Sequence, residues 1–304
     1  MKRILFGLGL LIAAGLAAGP AVAAPRLRIL TTIFPLQEFV SRIAAGRADV
    51  ELLLPPGAGP HTWQPRPSDI LRLSRADLLV AVGAGLEPWL AGLVRGVAPA
   101  RVRVLEVSRS LPLLRSAGDE GDEHDDHGAF DPHVWLDFAL DLRIVDGIAA
   151  ELAALDGEGA ETYRRGASAL KTELEALDAR YRERLAGCAG RSLFIAGHAA
   201  FGYLAARYGL VQQALYGTSP DAQPTPTHFI ALAEAVKRSG AKAVFYETAP
   251  GGATARVLAR ETGTRALALS AGHNPTRAER ESLGTFIALM DRNLENLHDG
   301  LGCR

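Results

Sequence analysis

Eight histidines lie along the 304-residue chain, at positions 61, 124, 127, 133, 198, 228, 273 and 298. Three share a setting. His61 follows an apolar run and the Pro55-Pro56-Gly57 break. His133 sits in Asp131-Pro132-His133-Val134-Trp135-Leu136-Asp137, at the entry to a long helical stretch, and His198 closes another apolar run. Imidazole is a common zinc ligand. One histidine in such a place is ordinarily structural, but three at strand ends suggest a metal site in a shared cleft. Residues 119–127 put six carboxylates beside His124 and His127. That segment reads either as a solvated acidic loop or as a collector of cations beside the cleft, and both readings stay open. His228 reads as a polar residue opening a helix, and His298 as a solvated residue on the last helix.

The surrounding pattern supplies the strand ends. Residues 27–30, 49–54, 77–82 and 101–107 read as strands, alternating with helices at 35–45, 68–75 and 88–96; Ser68 is placed as the N-cap of the second helix, after Pro67. From 140 to about 185 the pattern becomes helical. There Tyr163, Leu170, Leu174, Leu177 and Tyr181 form one stripe, and Gly157 and Gly159 separate a first helix from a longer one. Strands then resume at 192–196, 243–246 and 265–269, with helices at 200–208, 229–239 and 253–262 and a last helix at 280–297. The fold class is therefore α/β with mostly parallel strands, in two lobes joined by a long helix that acts as a spine.

A faint internal echo supports two similar lobes. Ile29-Leu30-Thr31 followed by Phe34 resembles Phe194-Ile195-Ala196 followed by Phe201, and Pro65-Arg66-Pro67-Ser68 resembles Pro224-Thr225-Pro226-Thr227. Similar lobes would hold a ligand between them, outside the C-terminal strand ends. The expected division is a leader at 1–23, a first lobe at 24–139, a helical segment at 140–186 and a second lobe at 187–304.

The balance of charge excludes nucleic acid as the main partner: 33 basic against 34 acidic side chains give a net charge of −1. Lys2 and Arg3 precede a short apolar run and the small residues Ala21-Val22-Ala23-Ala24. This reads as a secretory signal peptide cleaved near Ala23, which places the mature chain in the periplasm. No cysteine stands at that site for lipid attachment. Cys188 and Cys303 could pair in an oxidising compartment, and sequence leaves that open.

With these residues in view, the sequence resembles the periplasmic solute-binding proteins of zinc and manganese ABC importers, in their zinc-type cluster. The likeness rests on His61-Thr62-Trp63-Gln64-Pro65 with Pro67-Ser68-Asp69, on the motif 131–137, and on Gly197-His198 with Phe201, Tyr203-Leu204 and Arg207-Tyr208-Gly209-Leu210. It continues through Pro224, Pro226 and Val244-Phe245-Tyr246-Glu247. These motifs come in family order and span nearly the whole mature chain.

The resemblance implies two α/β lobes on one rigid helix, with the metal in the cleft between them and His61, His133 and His198 as its ligands. One departure matters. Many members carry an aspartate just after the last strand, where this chain reads Leu267-Ala268-Leu269-Ser270. The fourth position is therefore open to water, Glu247, His273, or His124 or His127 of the acidic segment. Three imidazoles and no aspartate favour tetrahedral zinc over manganese, which prefers oxygen.

The expected function is capture of Zn²⁺ and its delivery to an inner-membrane ABC permease by a monomeric protein that is not an enzyme. A manganese-binding member of the same family is one alternative. A zinc-dependent hydrolase with Glu247 as base is another, and a binder of metal chelates would leave the three histidines unexplained.

Overall fold

The computed structural model describes residues 26–97, 102–116, 130–218, 225–247 and 252–304. The leader expected at 1–23 and the acidic segment 119–127, with His124 and His127, lie outside the described residues. Among the described residues, no helix is long and apolar enough to cross a membrane.

Strands β1 (Leu27–Thr31), β2 (Ala48–Leu52), β3 (Leu78–Ala81) and β4 (Arg103–Glu106) form a parallel sheet in the order β2-β1-β3-β4. β3 reads Leu-Leu-Val-Ala and is buried at every position, as a parallel strand covered on both faces must be. The crossovers carry helices α1 (Phe34–Ala44), α2 (Pro67–Leu73) and α3 (Leu90–Arg95). Two helices follow, α4 (Phe138–Leu155) and the 27-residue α5 (Ala160–Ala186). At 1.5 Å per residue α5 is about 40 Å long, enough to run past both sheets. The second sheet takes β5 (Ser192–Ile195), β6 (Val211–Ala214), β7 (Ala243–Tyr246) and β8 (Arg265–Ala268) in the order β6-β5-β7-β8, which repeats the first. Helices α6 (Gly202–Tyr208), α7 (Pro226–Ser239) and α8 (Gly252–Thr262) belong to it, and α9 (Arg277–Leu283) and α10 (Phe286–Gly300) close the chain.

Three expectations need correction. The N-cap of α2 is Arg66, not Ser68, because Pro67 takes the first helical position, where a missing N–H costs nothing. Strand β6 has no counterpart in the sequence reading: Val-Gln-Gln-Ala is a short, half-polar edge strand with little apolar signal. The last helix is two. Gly284, at φ +73°, ends α9, and the Thr285 side chain accepts from the Ala288 N–H to start α10.

One hydrophobic cluster runs through both lobes. It joins Ile29, Phe39 and Ile43 of the first lobe, the α5 stripe from Tyr163 to Leu185, and Leu193, Phe245 and Leu294 of the second. Smaller clusters lie on the outer faces of the sheets, under α2 and α3 in one lobe and under α7 and α8 in the other. The inner helices are tightly seated. A Cβ on Gly166 of α5 would lie 2.7 Å from the Ile43 carbonyl oxygen, so only glycine permits this approach to α1. The Cys188–Cys303 disulfide ties the end of α5 to the C-terminus.

Candidate metal centre

The parallel topology puts the chemistry at the C-terminal ends of the strands. His61 lies in the loop from β2 to α2. His133 precedes a 3-10 turn (Val134–Leu136) that leads into α4, and His198 lies between β5 and α6. Glu247 follows β7, and His273 follows β8. Of the sequence candidates, the fold gathers His61, His133 and His198 so that one ligand atom from each lies within 4.8 Å of the others. Among the described residues no other group of three histidine, cysteine or carboxylate ligands does this. The three are 9%, 0% and 4% exposed, so an ion among them would be enclosed.

Two of the rings are oriented by carboxylates. His133 Nδ1 lies 2.8 Å from Asp131 Oδ1, which also accepts the His133 backbone N–H. His198 Nδ1 lies 2.8 Å from Glu247 Oε2. Each pairing leaves Nε2 pointing inward, and the two Nε2 atoms are 3.3 Å apart. Two nitrogens about 2.0–2.1 Å from a tetrahedral zinc stand roughly 3.3 Å apart, so the pair is already spaced for the ion. A carboxylate behind a ligating imidazole fixes its tautomer and raises its basicity. Among the described residues His61 has no such partner, and its Nε2 is buried without a hydrogen bond.

The electrostatics follow this division. Burial, with repulsion from the neighbouring imidazoles, pushes the His61 pKa down to about 2. Burial opposes charge on His198 as well, but the Glu247 carboxylate outweighs it and the His198 pKa is raised. Burial would raise Glu247, yet His198 holds it below its ordinary value. His273 is lowered to about 4, mainly by burial.

Glu247 and His273 do not join the close group. Both line a small adjoining cavity of about 40 Å³, together with Ser270 and Glu279. Glu247 Oε1 is buried there without a partner. Ser270 is occupied otherwise: its N–H donates to Asn293 Oδ1 at 2.9 Å, and its carbonyl accepts from Asn293 Nδ2 at 2.7 Å.

Sequence reasoning gave Asp131 no role, although an aspartate two residues before a candidate ligand was a readable signal. It also missed the braces on helix α6. Tyr203 OH donates to the Asp131 carbonyl and accepts the Leu114 N–H. Arg207 reaches Asp137, the N-cap of α4, at 2.9 Å, and pairs with Asp178 of α5 through two bonds of 2.7 Å. The helix after His198 is thus fastened to the segment that carries His133.

A family model described as the periplasmic zinc-uptake complex component A, ZnuA, matches residues 29–300. The high-affinity zinc uptake system protein ZnuA of Bacillus subtilis is 32% identical over 281 residues, covering 91% of this chain and 88% of that protein. The zinc-binding lipoprotein AdcA of Streptococcus pneumoniae is 32% identical over 277 residues, covering 90% of this chain. The chain spans about half of AdcA, 55% of its length. The crystal structure of the Zn(II)-bound ZnuA-like domain of that AdcA superposes with a TM-score of 0.78 at 31% identity, covering 91% of this chain and 99% of the domain.

Proposed function

We propose, since the chain belongs to the periplasmic zinc-uptake complex component A family, that it captures Zn²⁺ outside the inner membrane and hands it to an ABC-type permease. The observation that carries this reading is the pair of carboxylate-backed imidazoles, His133 and His198, 3.3 Å apart at Nε2, with His61 closing the third side. Three imidazole nitrogens in a buried site suit zinc better than manganese, which prefers oxygen donors. Asp131 serves His133, and Glu247 serves His198. The fourth position then falls to a water in the adjoining cavity or to His273 on its wall. The protein acts as a monomer exported with its leader removed near Ala23, and turnover forms no part of this reading. Zinc-loaded protein is expected to leave ester and phosphoester substrates intact.

Purification without added metal, followed by elemental analysis, tests the proposal. One zinc per chain, retained against a modest chelator and not displaced by excess Mn²⁺, is the expected result. Retention of manganese in preference to zinc, or of neither, would overturn it.

A further inference from the structure

The ion's surroundings raise the question of how it leaves. His133 and His198 are backed by carboxylates and braced through α6, so that half of the site is fixed. The loop carrying His61 is held differently. Residues 53–66 contain no helix or strand, and side chains grip the stretch before His61 by its carbonyls, beginning with Arg72, which donates to the Leu53 carbonyl at 3.2 Å where the loop leaves β2. Trp89, of the same lobe, donates its indole N–H to the Pro60 carbonyl at 2.7 Å. Asn274, in the segment after β8, donates Nδ2 to the Pro55 carbonyl at 2.6 Å and to the Ala58 carbonyl at 2.8 Å.

Asn274 is only 6% exposed, and its amide has one workable orientation. Its oxygen accepts from Arg280 at 2.7 Å, whereas its nitrogen faces two carbonyl acceptors, so a flipped amide would lose all three bonds. The segment that presents it is itself anchored. The His273 carbonyl accepts the Phe34 N–H at 2.7 Å, and the Ala271 carbonyl accepts the Trp135 indole N–H at 2.7 Å. Asn274 therefore holds the His61 loop from a fixed support contributed by the other end of the chain.

We infer that Asn274 is a positioning residue that latches the His61 loop over the bound metal and sets how long the ion stays. The inference rests on the zinc-capture reading above. With all three rings buried, the ion cannot leave unless one wall moves. Beyond Leu53 the His61 loop is the wall held through its carbonyls by the neutral donors Trp89 and Asn274, and opening it away from the second lobe breaks both Asn274 bonds.

Stopped-flow release of zinc from the full mature chain into excess chelator tests this, beside association rates measured with free Zn²⁺. At the usual net worth of a protein hydrogen bond, losing two bonds should raise the release rate roughly ten- to a hundredfold. Asn274→Ala should do this, and so should Asn274→Asp, which keeps the size but loses both donors. Association should stay within about threefold, a split that general loosening of the fold would not produce. Arg280→Gln, which leaves both donors but loosens the amide, should give a smaller rise in release alone, and it decides the matter if the Asn274 variants fail to fold. Release within twofold of wild type overturns the latch while leaving zinc capture intact. So does a change carried mainly by association. Wild-type protein that takes up no zinc overturns the functional reading instead.

Discussion

The two sides of the metal centre are built from different materials. On one side His133 and His198 each face a carboxylate at 2.8 Å, and the Arg207 bridge to Asp137 and Asp178 locks the helices behind them. On the other side His61 has no carboxylate behind it and rides on a loop held by its backbone carbonyls. The difference teaches a division of labour. On the proposed reading, the charged side holds two nitrogens at the spacing that zinc needs, and the neutral side closes around the ion.

Alanine substitutions of the three histidines give the widest test of that contrast. Each should weaken zinc binding by much more than tenfold, as measured by calorimetry against a competing chelator, with His298→Ala unchanged as the control. His133→Ala and His198→Ala should cost more than His61→Ala, because each also removes a ring that its carboxylate orients and makes more basic. A larger loss at His61 would break the comparison.

The carboxylates come next. Asp131→Asn and Glu247→Gln should each lower zinc affinity about 10–100-fold, the usual cost of removing the group behind a ligating imidazole. Affinities within threefold of wild type would reduce both acids to structural roles.

The smallest effect lies in the protons. Three ordinary imidazoles near pKa 6.5 would compete with zinc for up to three protons. In this site burial keeps His61 neutral down to about 2, while the Glu247 carboxylate raises the pKa of His198. Zinc binding near pH 6.5 should therefore release at most two protons, none of them from His61, read from calorimetry in buffers of different ionisation enthalpy. The sign for stability runs separately. His61 and His273 resist protonation when folded but not when unfolded, so they destabilise the metal-free protein as pH falls below about 6.5. His198 works the other way, adding stability below 6.5 that is lost as pH rises through its raised value. Release of three protons would mean that the His61 loop stands open to water in the free protein.

Much of this arrangement could be read from the chain, because it is written in local pattern. Alternating apolar runs gave seven of the eight described strands, and the stripe from Tyr163 to Tyr181 gave the spine. The three histidines stood out by lying at strand ends. The missed parts depend on distance along the chain. Asn274 grips carbonyls 219 and 216 residues away, and Arg207 meets Asp178 across 29. No periodicity encodes such a pairing, and a lone asparagine in a loop looks like any turn residue. The break between α9 and α10 was missed for the opposite reason: the apolar periodicity crosses it, and only the positive φ of Gly284 ends the first helix.

The single cluster that runs from the first sheet through α5 to the second has a consequence for how the molecule comes apart. Hinged binding proteins with separate cores can melt one half at a time. Here neither sheet has a complete interior of its own, since the inner face of each is covered by helices that also serve the other. Severing the chain after α5 would strip apolar surface from both pieces at once, so neither half is an autonomous folding unit. Heating should give one calorimetric transition whose van't Hoff and calorimetric enthalpies agree, a melting behaviour that the repeated strand order of the two sheets would not suggest.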